Sequence, residues 1–225
     1  MSIDVAKRSA GAKAVELVKD GMIVGLGTGT TAAHFIEHLI NRCRHGLKIQ
    51  AVASSEKSYQ QAKVGKIPMV DINSLSHLDL VVDGADEIDS EKRMIKGGGG
   101  ALLREKILAK MSREMVVIVD ETKLVSKLGK QKLPVEIVPF AHKATIYQIN
   151  QLGFSGTLRY QSNGKVFVTD NGNHLFDIEL NPETLRLPED HEQILQIPGV
   201  VETGFFLNLA GRIIIGFCDG TVVVQ

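Results

Sequence analysis

The segment M-I-V-G-L-G-T-G-T-T-A at residues 22–32 decides the fold class, because it joins an apolar strand to a glycine-rich loop and then to a helix. Met22–Leu26 is short and apolar, and residues 31–44 have helical spacing. Apolar strands continue to alternate with helices as far as residue 119. This alternation predicts a parallel sheet covered by helices on both faces, with ligands bound at the carboxyl ends of the strands.

The same spacing rules and cap signals predict the remaining elements. The predicted helices cover residues 3–19, 31–44, 56–64, 100–111, 142–152 and 188–196. The predicted strands cover residues 22–26, 48–53, 67–70, 78–82, 115–119, 133–140, 157–160, 165–169, 174–180, 212–217 and 221–224. Ser2 is a candidate N-cap of the first helix, and Ser54 or Ser55 is more plausible as an N-cap than as a ligand-binding group.

The loop at residues 25–32 has the features of an anion site, because glycines and hydroxyls precede a helix N-terminus. It lacks the Lys-Ser/Thr pair of a Walker motif, and Ala32 stands where the dinucleotide fingerprint has its last glycine. Residues 28–31 therefore suit a single phosphate better than a pyrophosphate. The loop alone is equally consistent with an ordinary glycine-rich turn.

Composition sets outer limits on function. The chain has 225 residues, with 26 Lys and Arg balancing 26 Asp and Glu, so no general attraction to nucleic acid or to an anionic membrane is expected. Cys43 and Cys218 are far apart and lack metal-ligand spacing, so a disulfide framework is not expected. The N-terminus lacks the apolar core of a signal peptide, and we expect a cytoplasmic protein.

The pattern changes near Pro134, where short strands replace the regular alternation. D-N-G-N at residues 170–173 is a hairpin signal. This strand-rich α+β stretch predicts a smaller second domain. The last two strands flank the turn at residues 218–220, and either domain could include them.

D-G-A-D-E-I-D at residues 83–89 follows a strand and predicts a functional acidic loop. Asp83 ends an apolar strand, where a carboxylate is costly unless it is hydrogen-bonded or functional. A calcium loop counted from Asp83 needs Glu at its twelfth position, but that position is Met94. Calcium is therefore not expected.

K-G-G-G-G-A-L-L-R-E-K at residues 96–106 predicts the second half of the site. Gly97–Gly100 allow close approach of the backbone, and Lys96 with these amides can stabilise an oxyanion. On the following helix, an apolar stripe at Leu103, Ile107 and Met111 would place Glu105 off the stripe. Glu105 is then either part of a solvated face or, so close to a glycine anion site, a base.

Two isolated lysines complete the candidates. Lys7 lies on the first helix, and Lys123 follows the strand at residues 115–119, so it should emerge at the ligand-binding edge. Neither has a motif of its own, and the seven histidines form no metal-ligand pattern.

Six ordered motifs together resemble ribose-5-phosphate isomerase of the A type over nearly the whole chain. They are G-L-G-T-G-T-T-A (25–32), D-G-A-D-E-I-D (83–89), K-G-G-G-G-A-L-L-R-E-K (96–106), L-P-V-E-I-V-P (133–139), V-T-D-N-G-N (168–173) and I-P-G-V-V-E-T-G-F-F (197–206). The resemblance implies interconversion of ribose 5-phosphate and ribulose 5-phosphate in the non-oxidative pentose phosphate pathway. It implies no metal or organic cofactor, and usually a homodimer.

The resemblance also implies an α/β fold with two domains. A Rossmann-like, mainly parallel domain would cover residues 1–130 and 206–225, and a smaller ferredoxin-like α+β domain would cover residues 131–205. Among departures from the family, Thr30 replaces a more frequent serine and Gly100 a more frequent alanine. Residues 179–190 also depart from the usual pattern.

By motif, the resemblance implies that Glu105 is the general base and that Asp83, Asp86 and Lys96 are catalytic. The implied substrate-binding positions are Lys7, Thr28, Gly29, Thr30, Thr31, Asp83, Gly84, Ala85, Asp86, Lys96, Gly97, Gly98, Gly99 and Lys123. Two alternatives stay open at this point. A related aminosugar-phosphate isomerase/deaminase would use a similar loop and base, although no catalytic histidine constellation is present. A non-catalytic sugar-phosphate sensor would not need Glu105, and no DNA-binding helix-turn-helix precedes the loop.

Overall fold

The computed structural model of the chain describes residues 2–225. Its contacts group into two units, each with its own hydrophobic core. The first unit comprises the chain up to Ala85, Arg104–Leu124 and Asn208–Gln225. The second comprises Asp86–Leu103 and Val125–Leu207. Residues 86–103, which the sequence analysis assigned to the larger domain, thus group with the second unit, and the bounds of the domains stay a prediction.

The six predicted helices are all present, in the predicted order. The helices are α1 (Ile3–Val15), α2 (Thr30–Arg44), α3 (Glu56–Val64), α4 (Leu102–Met111), α5 (His142–Gln151) and α6 (Glu189–Leu195). The strands are β1 (Ile23–Leu26), β2 (Gln50–Ala53), β3 (Leu80–Asp83), β4 (Glu87–Ile88), β5 (Met94–Ile95), β6 (Met115–Asp120), β7 (Leu133–Ile137), β8 (Ser155–Leu158), β9 (His174–Glu179), β10 (Val200–Thr203), β11 (Phe205–Phe206), β12 (Ala210–Gly216) and β13 (Val222–Val224).

Within the described residues, the first unit holds a six-stranded sheet with the order β13-β12-β6-β3-β1-β2. All neighbours are parallel except β12 and β13, so the predicted mainly parallel sheet is confirmed. The last two strands join this sheet. Strand β6, M-V-V-I-V-D, is buried at every residue, as expected for an inner strand of a sheet covered on both faces.

The second unit contains antiparallel sheets, in agreement with its predicted α+β character. One sheet has the order β10-β7-β9-β8, and a smaller sheet has the order β11-β5-β4. Strand β7 is buried throughout, and its Ile137 packs in the core with Phe176 and Ile149. The strands β4 and β5 have two residues each, too few to show a period in the sequence.

Predicted helix caps are largely confirmed. The Ser2 side chain accepts a hydrogen bond from the Val5 N–H, and the Ser55 side chain accepts one from the Ser58 N–H. Helix α1 ends at Val15 rather than at residue 19, because the chain continues from there into turns.

Two predicted strands are wrong. Residues 67–70 and 165–169 make only isolated bridges, through Met69 and Val166. Both segments are apolar, but the pairing with a neighbouring strand is too short to form a ladder. Cys43 and Cys218 are free thiols. Among residues 2–225, no helix is both long enough and apolar enough to cross a bilayer.

Candidate active site

The glycine loop after β1 forms the entry to helix α2. Gly29 is the N-cap residue of α2 with φ +102°, so the first N–H groups of the helix lack a side-chain cap. The Lys7 ammonium donates to the Thr30 hydroxyl at 2.9 Å. A lysine and a helix N-terminus on the same turn favour a bound anion. The structure therefore brings Lys7, a residue without a motif of its own, to the predicted phosphate loop.

Thr28 is fixed by hydroxyl groups from the neighbouring strand. Its Oγ1 lies 2.8 Å from the Oγ atoms of both Ser54 and Ser55, which follow β2. Ser55 also caps α3, as the sequence indicates. These serines were not predicted to contribute to the site, and their contact with Thr28 shows that they orient the loop.

Asp83 holds the same loop from the other neighbouring strand. It ends β3 and is buried, and its Oδ1 accepts the N–H groups of Thr28 at 2.9 Å and Gly84 at 2.7 Å. The loops after β1 and β3 therefore lie at one edge of the sheet, as predicted. A Cβ at Gly27 would overlap the Asp83 carboxylate, so the loop requires glycine there.

Glu105 lies on the buried side of α4. It is 4% exposed, and Leu108 is also buried, whereas Ile107 is 44% exposed. The predicted apolar stripe of Leu103, Ile107 and Met111 is therefore wrong. Apolar residues occur all around this helix, so their spacing alone does not define its buried face. The burial of Glu105 argues against the alternative of a solvated face.

Lys123 lies where the sequence predicts it. Residues 121–123 form a 3₁₀ turn that directly follows β6, and β6 is the neighbour of β3 in the parallel sheet. Asp120 caps this turn by accepting the Thr122 N–H at 3.1 Å. Lys123 thus emerges at the carboxyl edge of the sheet, half-buried.

In the second unit, Asp86 and the glycine loop are bonded to each other. The Asp86 carboxylate accepts the Gly98 N–H at 2.7 Å, and the Gly100 N–H donates to the Gly97 carbonyl at 3.0 Å. Of the amides predicted to stabilise an oxyanion, that of Gly98 is therefore already engaged by Asp86.

Two further carboxylates of the 83–89 segment also accept main-chain N–H groups. Glu87 accepts those of Gly129, at 2.7 Å, and Gln131. Asp89 accepts that of Arg93 at 2.9 Å. Much of this acidic segment therefore ties loops in place.

Lys96 is buried and braced by the segment at residues 197–206. Its N–H donates to the Gly204 carbonyl at 2.9 Å. Its Nζ lies 5.3 Å from the ring centre of Phe206, within the range of a cation–π interaction. The motif at residues 197–206 thus supports Lys96 of the motif at residues 96–106.

Arg159 contacts the glycine loop, although nothing in the sequence indicated a role for it. Its Nη1 donates to the carbonyl oxygens of Gly97 at 3.1 Å and Gly98 at 3.0 Å. Its Nε donates to Asp177 Oδ2 at 2.8 Å. This contact could not be predicted from local sequence patterns, because Arg159 and the loop are about 60 positions apart in the sequence.

The motifs at residues 133–139 and 168–173 meet in one polar cluster around a buried carboxylate. Glu136 is 0% exposed and accepts hydrogen bonds from the side chains of Thr169, Asn171 and Asn173 at 2.9–3.0 Å. This cluster fixes the turn that leads into β9. Among residues 2–225, no group of three His, Cys, Asp or Glu side chains is placed to hold a metal ion.

Comparison with known proteins places these motifs in one family. The profile of Ribose 5-phosphate isomerase A (phosphoriboisomerase A) matches residues 50–220. The chain is 52% identical to ribose-5-phosphate isomerase A of Protochlamydia amoebophila, over 96% of this chain and 93% of that protein. The chain belongs to the ribose 5-phosphate isomerase A family. Membership makes it an enzyme of the isomerase class.

Other members of the family extend the match to the whole fold. The chain is 45% identical to ribose-5-phosphate isomerase A of Bacillus mycoides, over 95% of this chain and 96% of that protein. The solved structure of ribose 5-phosphate isomerase A from Methanocaldococcus jannaschii has a TM-score of 0.91 at 38% identity, over 97% of each chain. A D-ribose-5-phosphate isomerase in complex with phospho-erythronic acid has a TM-score of 0.94 at 34% identity, over 100% of this chain and 99% of that one.

Proposed function

We propose that this member of the family interconverts D-ribose 5-phosphate and D-ribulose 5-phosphate. The observation that carries the proposal is the near full-length similarity to ribose-5-phosphate isomerase A at 52% identity. The phosphate-type loop, the buried Glu105 and the braced Lys96 fit this reaction, because each supplies a group that an aldose–ketose isomerase needs.

Glu105 is the proposed general base. It removes the proton from C2 of the open-chain aldose, the C2–H electron pair forms a C1=C2 double bond, and the aldehyde oxygen takes the negative charge. The cis-enediolate then gains the same proton at C1, while the hydrogen on O2 moves to O1, which leaves a carbonyl at C2. Burial suits this role because it excludes water from the base.

Lys96 and the glycine loop are the proposed oxyanion stabilisers. A proton next to a carbonyl is weakly acidic, so the rate depends on stabilising the charge that develops on oxygen. The Lys96 ammonium supplies a full positive charge, and the loop at Gly97–Gly99 supplies peptide N–H groups. The engaged Gly98 amide leaves those of Gly97 and Gly99 as the better candidates.

The remaining site residues bind and prepare the substrate. We propose that residues 28–31, with Lys7 and Lys123, bind the phosphate, since hydroxyls, helix N–H groups and ammonium groups all suit a dianion. One of Asp83 and Asp86 opens the furanose ring or moves the proton between O1 and O2. Gly84 and Ala85 connect them and contact the sugar.

Assembly, location and pathway follow the family resemblance. We propose that the enzyme is a cytoplasmic homodimer that acts in the non-oxidative pentose phosphate pathway. Sedimentation velocity measures the assembly directly, and a single species of monomer mass would contradict the dimer.

The deciding experiment compares the wild type with Glu105→Gln for formation of ribulose 5-phosphate from ribose 5-phosphate. Glutamine keeps the size of the side chain but accepts no proton, so kcat should fall by about 10³-fold or more. Inorganic phosphate should still inhibit the residual turnover of the variant competitively. The far-ultraviolet circular dichroism of the variant should match that of the wild type. A near-normal kcat in this variant would reject Glu105 as the base.

A chelator tests the absence of a cofactor. Wild-type turnover should survive prolonged treatment with EDTA, because the proposed chemistry uses only protein groups. Loss of activity that added divalent metal restores would overturn this mechanism.

A further inference from the structure

Arg159 makes more contacts than an ion pair requires. It directly follows β8, and its side chain is mostly buried, as is that of Asp177 on β9. The guanidinium forms a two-point ion pair with Asp177 through Nε and Nη2. Its remaining terminal nitrogen, Nη1, donates to two consecutive carbonyl oxygens of the glycine loop. An arginine that served only to join β8 and β9 would need the two bonds to Asp177 and no bond to the glycine loop.

The carbonyl contacts fix the direction of the peptide N–H groups. In a trans peptide the C=O and the following N–H point in opposite directions, because the unit is planar. Holding the Gly97 carbonyl therefore directs the Gly98 N–H away from Arg159, where it meets the Asp86 carboxylate. Holding the Gly98 carbonyl directs the Gly99 N–H to the opposite side in the same way.

The position of Arg159 is itself held by an aromatic ring. The guanidinium carbon lies 5.7 Å from the ring centre of Phe167. The same ring contacts Gly100, since a Cβ there would lie 2.6 Å from Phe167 Cζ. The loop is thus contacted by Arg159 at two carbonyls and by Phe167 at its end.

An open cavity adjoins the loop. It has a volume of about 400 Å³, and Asp86, Gly98, Lys132, Arg159 and Asp177 are among its lining residues. Without a partner, the carbonyls of such a glycine loop would be free to turn, because glycine has the widest conformational freedom. The arginine removes that freedom without filling the space.

We propose that Arg159, oriented by Asp177, is a positioning residue for the isomerase reaction: it holds the glycine loop so that the Gly99 N–H faces the oxyanion that develops on the substrate. The inference rests on the proposed function, because it assigns the loop to that oxyanion. In this assignment Arg159 acts through the loop rather than on the reacting atoms.

The test is Arg159→Lys, which keeps the charge but cannot bond two carbonyls and a carboxylate in one plane. Loss of the charged hydrogen bonds that fix the loop should lower kcat by about 10- to 100-fold. KM for ribose 5-phosphate and inhibition by inorganic phosphate should stay within about twofold, because the phosphate groups bind elsewhere. A double-mutant comparison with Asp177→Asn should show less than additive loss, since both act on one contact.

Binding of phospho-erythronic acid supplies a readout that does not depend on turnover. The carboxylate of this four-carbon acid can stand in for the oxygens of the enediolate. Its affinity, measured by calorimetry, should fall about 10-fold or more in Arg159→Lys while that of inorganic phosphate does not. If the wild type binds the acid in this way but has no isomerase activity, the proposed function fails and the loop assignment stands.

Arg212→Lys is the matched control. Arg212 makes an equivalent two-point ion pair with Glu114, at 2.6 Å for each bond, in the first unit. This variant should leave kcat and the affinity for the acid unchanged. The proposal is overturned if Arg159→Lys keeps both quantities within twofold of the wild type. It is overturned equally if the affinities for the acid and for phosphate fall together with the melting temperature, since that pattern means general disruption.

Discussion

Replacing Gly27 by alanine should disrupt the proposed phosphate-binding loop at residues 28–31 more than the loss of glycine flexibility alone would explain. The φ of Gly27 lies outside the left-handed region, so alanine brings no backbone strain. Its Cβ, however, would lie 2.6 Å from the main-chain Cα of Asp83 and closer still to the carboxylate. Carbon atoms in contact normally lie about 3.5–4.0 Å apart, so β1 and β3 would have to separate locally by about 1 Å.

Two contributions set the size of the effect. Overpacking of this kind costs about 1–3 kcal/mol. The separation also breaks the hydrogen bond from the Thr28 N–H to the Asp83 carboxylate, and a bond to a charged group contributes about 1.5–3 kcal/mol. Together they predict that the free energy of unfolding falls by about 2.5–6 kcal/mol. KM for ribose 5-phosphate should rise at least about tenfold, because the loop that we propose binds the phosphate moves.

Urea denaturation followed by circular dichroism, together with steady-state kinetics, measures both quantities. The matched control is Gly21→Ala. Gly21 has φ +81° and open space around it, so its replacement should cost about 1 kcal/mol from backbone strain alone and leave KM unchanged. A Gly27→Ala variant within about 1 kcal/mol of the wild type and with a normal KM would refute the steric argument.

Three further variants test separate contacts. Lys123→Ala should raise KM by about tenfold or more with little change in kcat, because a charged contact to phosphate is lost. Lys110, on an exposed part of α4, supplies the control, and Lys110→Ala should leave KM unchanged. An unchanged KM in Lys123→Ala would argue against phosphate binding by Lys123. Glu136→Ala should lower the free energy of unfolding by about 2–3 kcal/mol in urea titrations, since the buried Thr169 hydroxyl loses its charged acceptor together with the more exposed Asn171 and Asn173 amides. A loss below about 1 kcal/mol would contradict that role. The hydrogen bonds from Arg212 lower the pKa of Glu114, so this pair should stabilise the fold above about pH 4.5 and lose its effect as the pH falls through the lowered pKa. The stability difference between the wild type and Arg212→Gln should therefore shrink in acid, and a difference independent of pH would exclude the pair as its source.

The sequence predicts the first unit well because its signals are local. An apolar strand followed by glycines and a helix can be recognised within about ten residues. The carboxyl ends of neighbouring parallel strands then lie at the same edge of the sheet. That rule alone places Thr28 near Asp83 and Lys123 near the same edge. The caps at Ser2 and Ser55 are legible for the same reason.

The errors arise where tertiary contacts decide the structure. The buried face of α4 is set by its neighbours rather than by its spacing, so the stripe through Ile107 was wrong. The strands predicted at residues 67–70 and 165–169 lack partners of sufficient length. The roles of Arg159 and Glu136 depend on contacts across more than 30 positions, which no local pattern encodes.

The acidic segment at residues 83–89 has a consequence for how the family can change over evolution. Its carboxylates Asp83, Asp86 and Glu87 each bind main-chain N–H groups of a different loop. Every residue except proline carries such a group, so these hydrogen bonds themselves do not depend on which side chain stands at the position. An insertion or deletion would move the N–H away from its carboxylate. The loops should therefore keep a constant length within the family, with proline excluded at the positions of Thr28, Gly98 and Gly129.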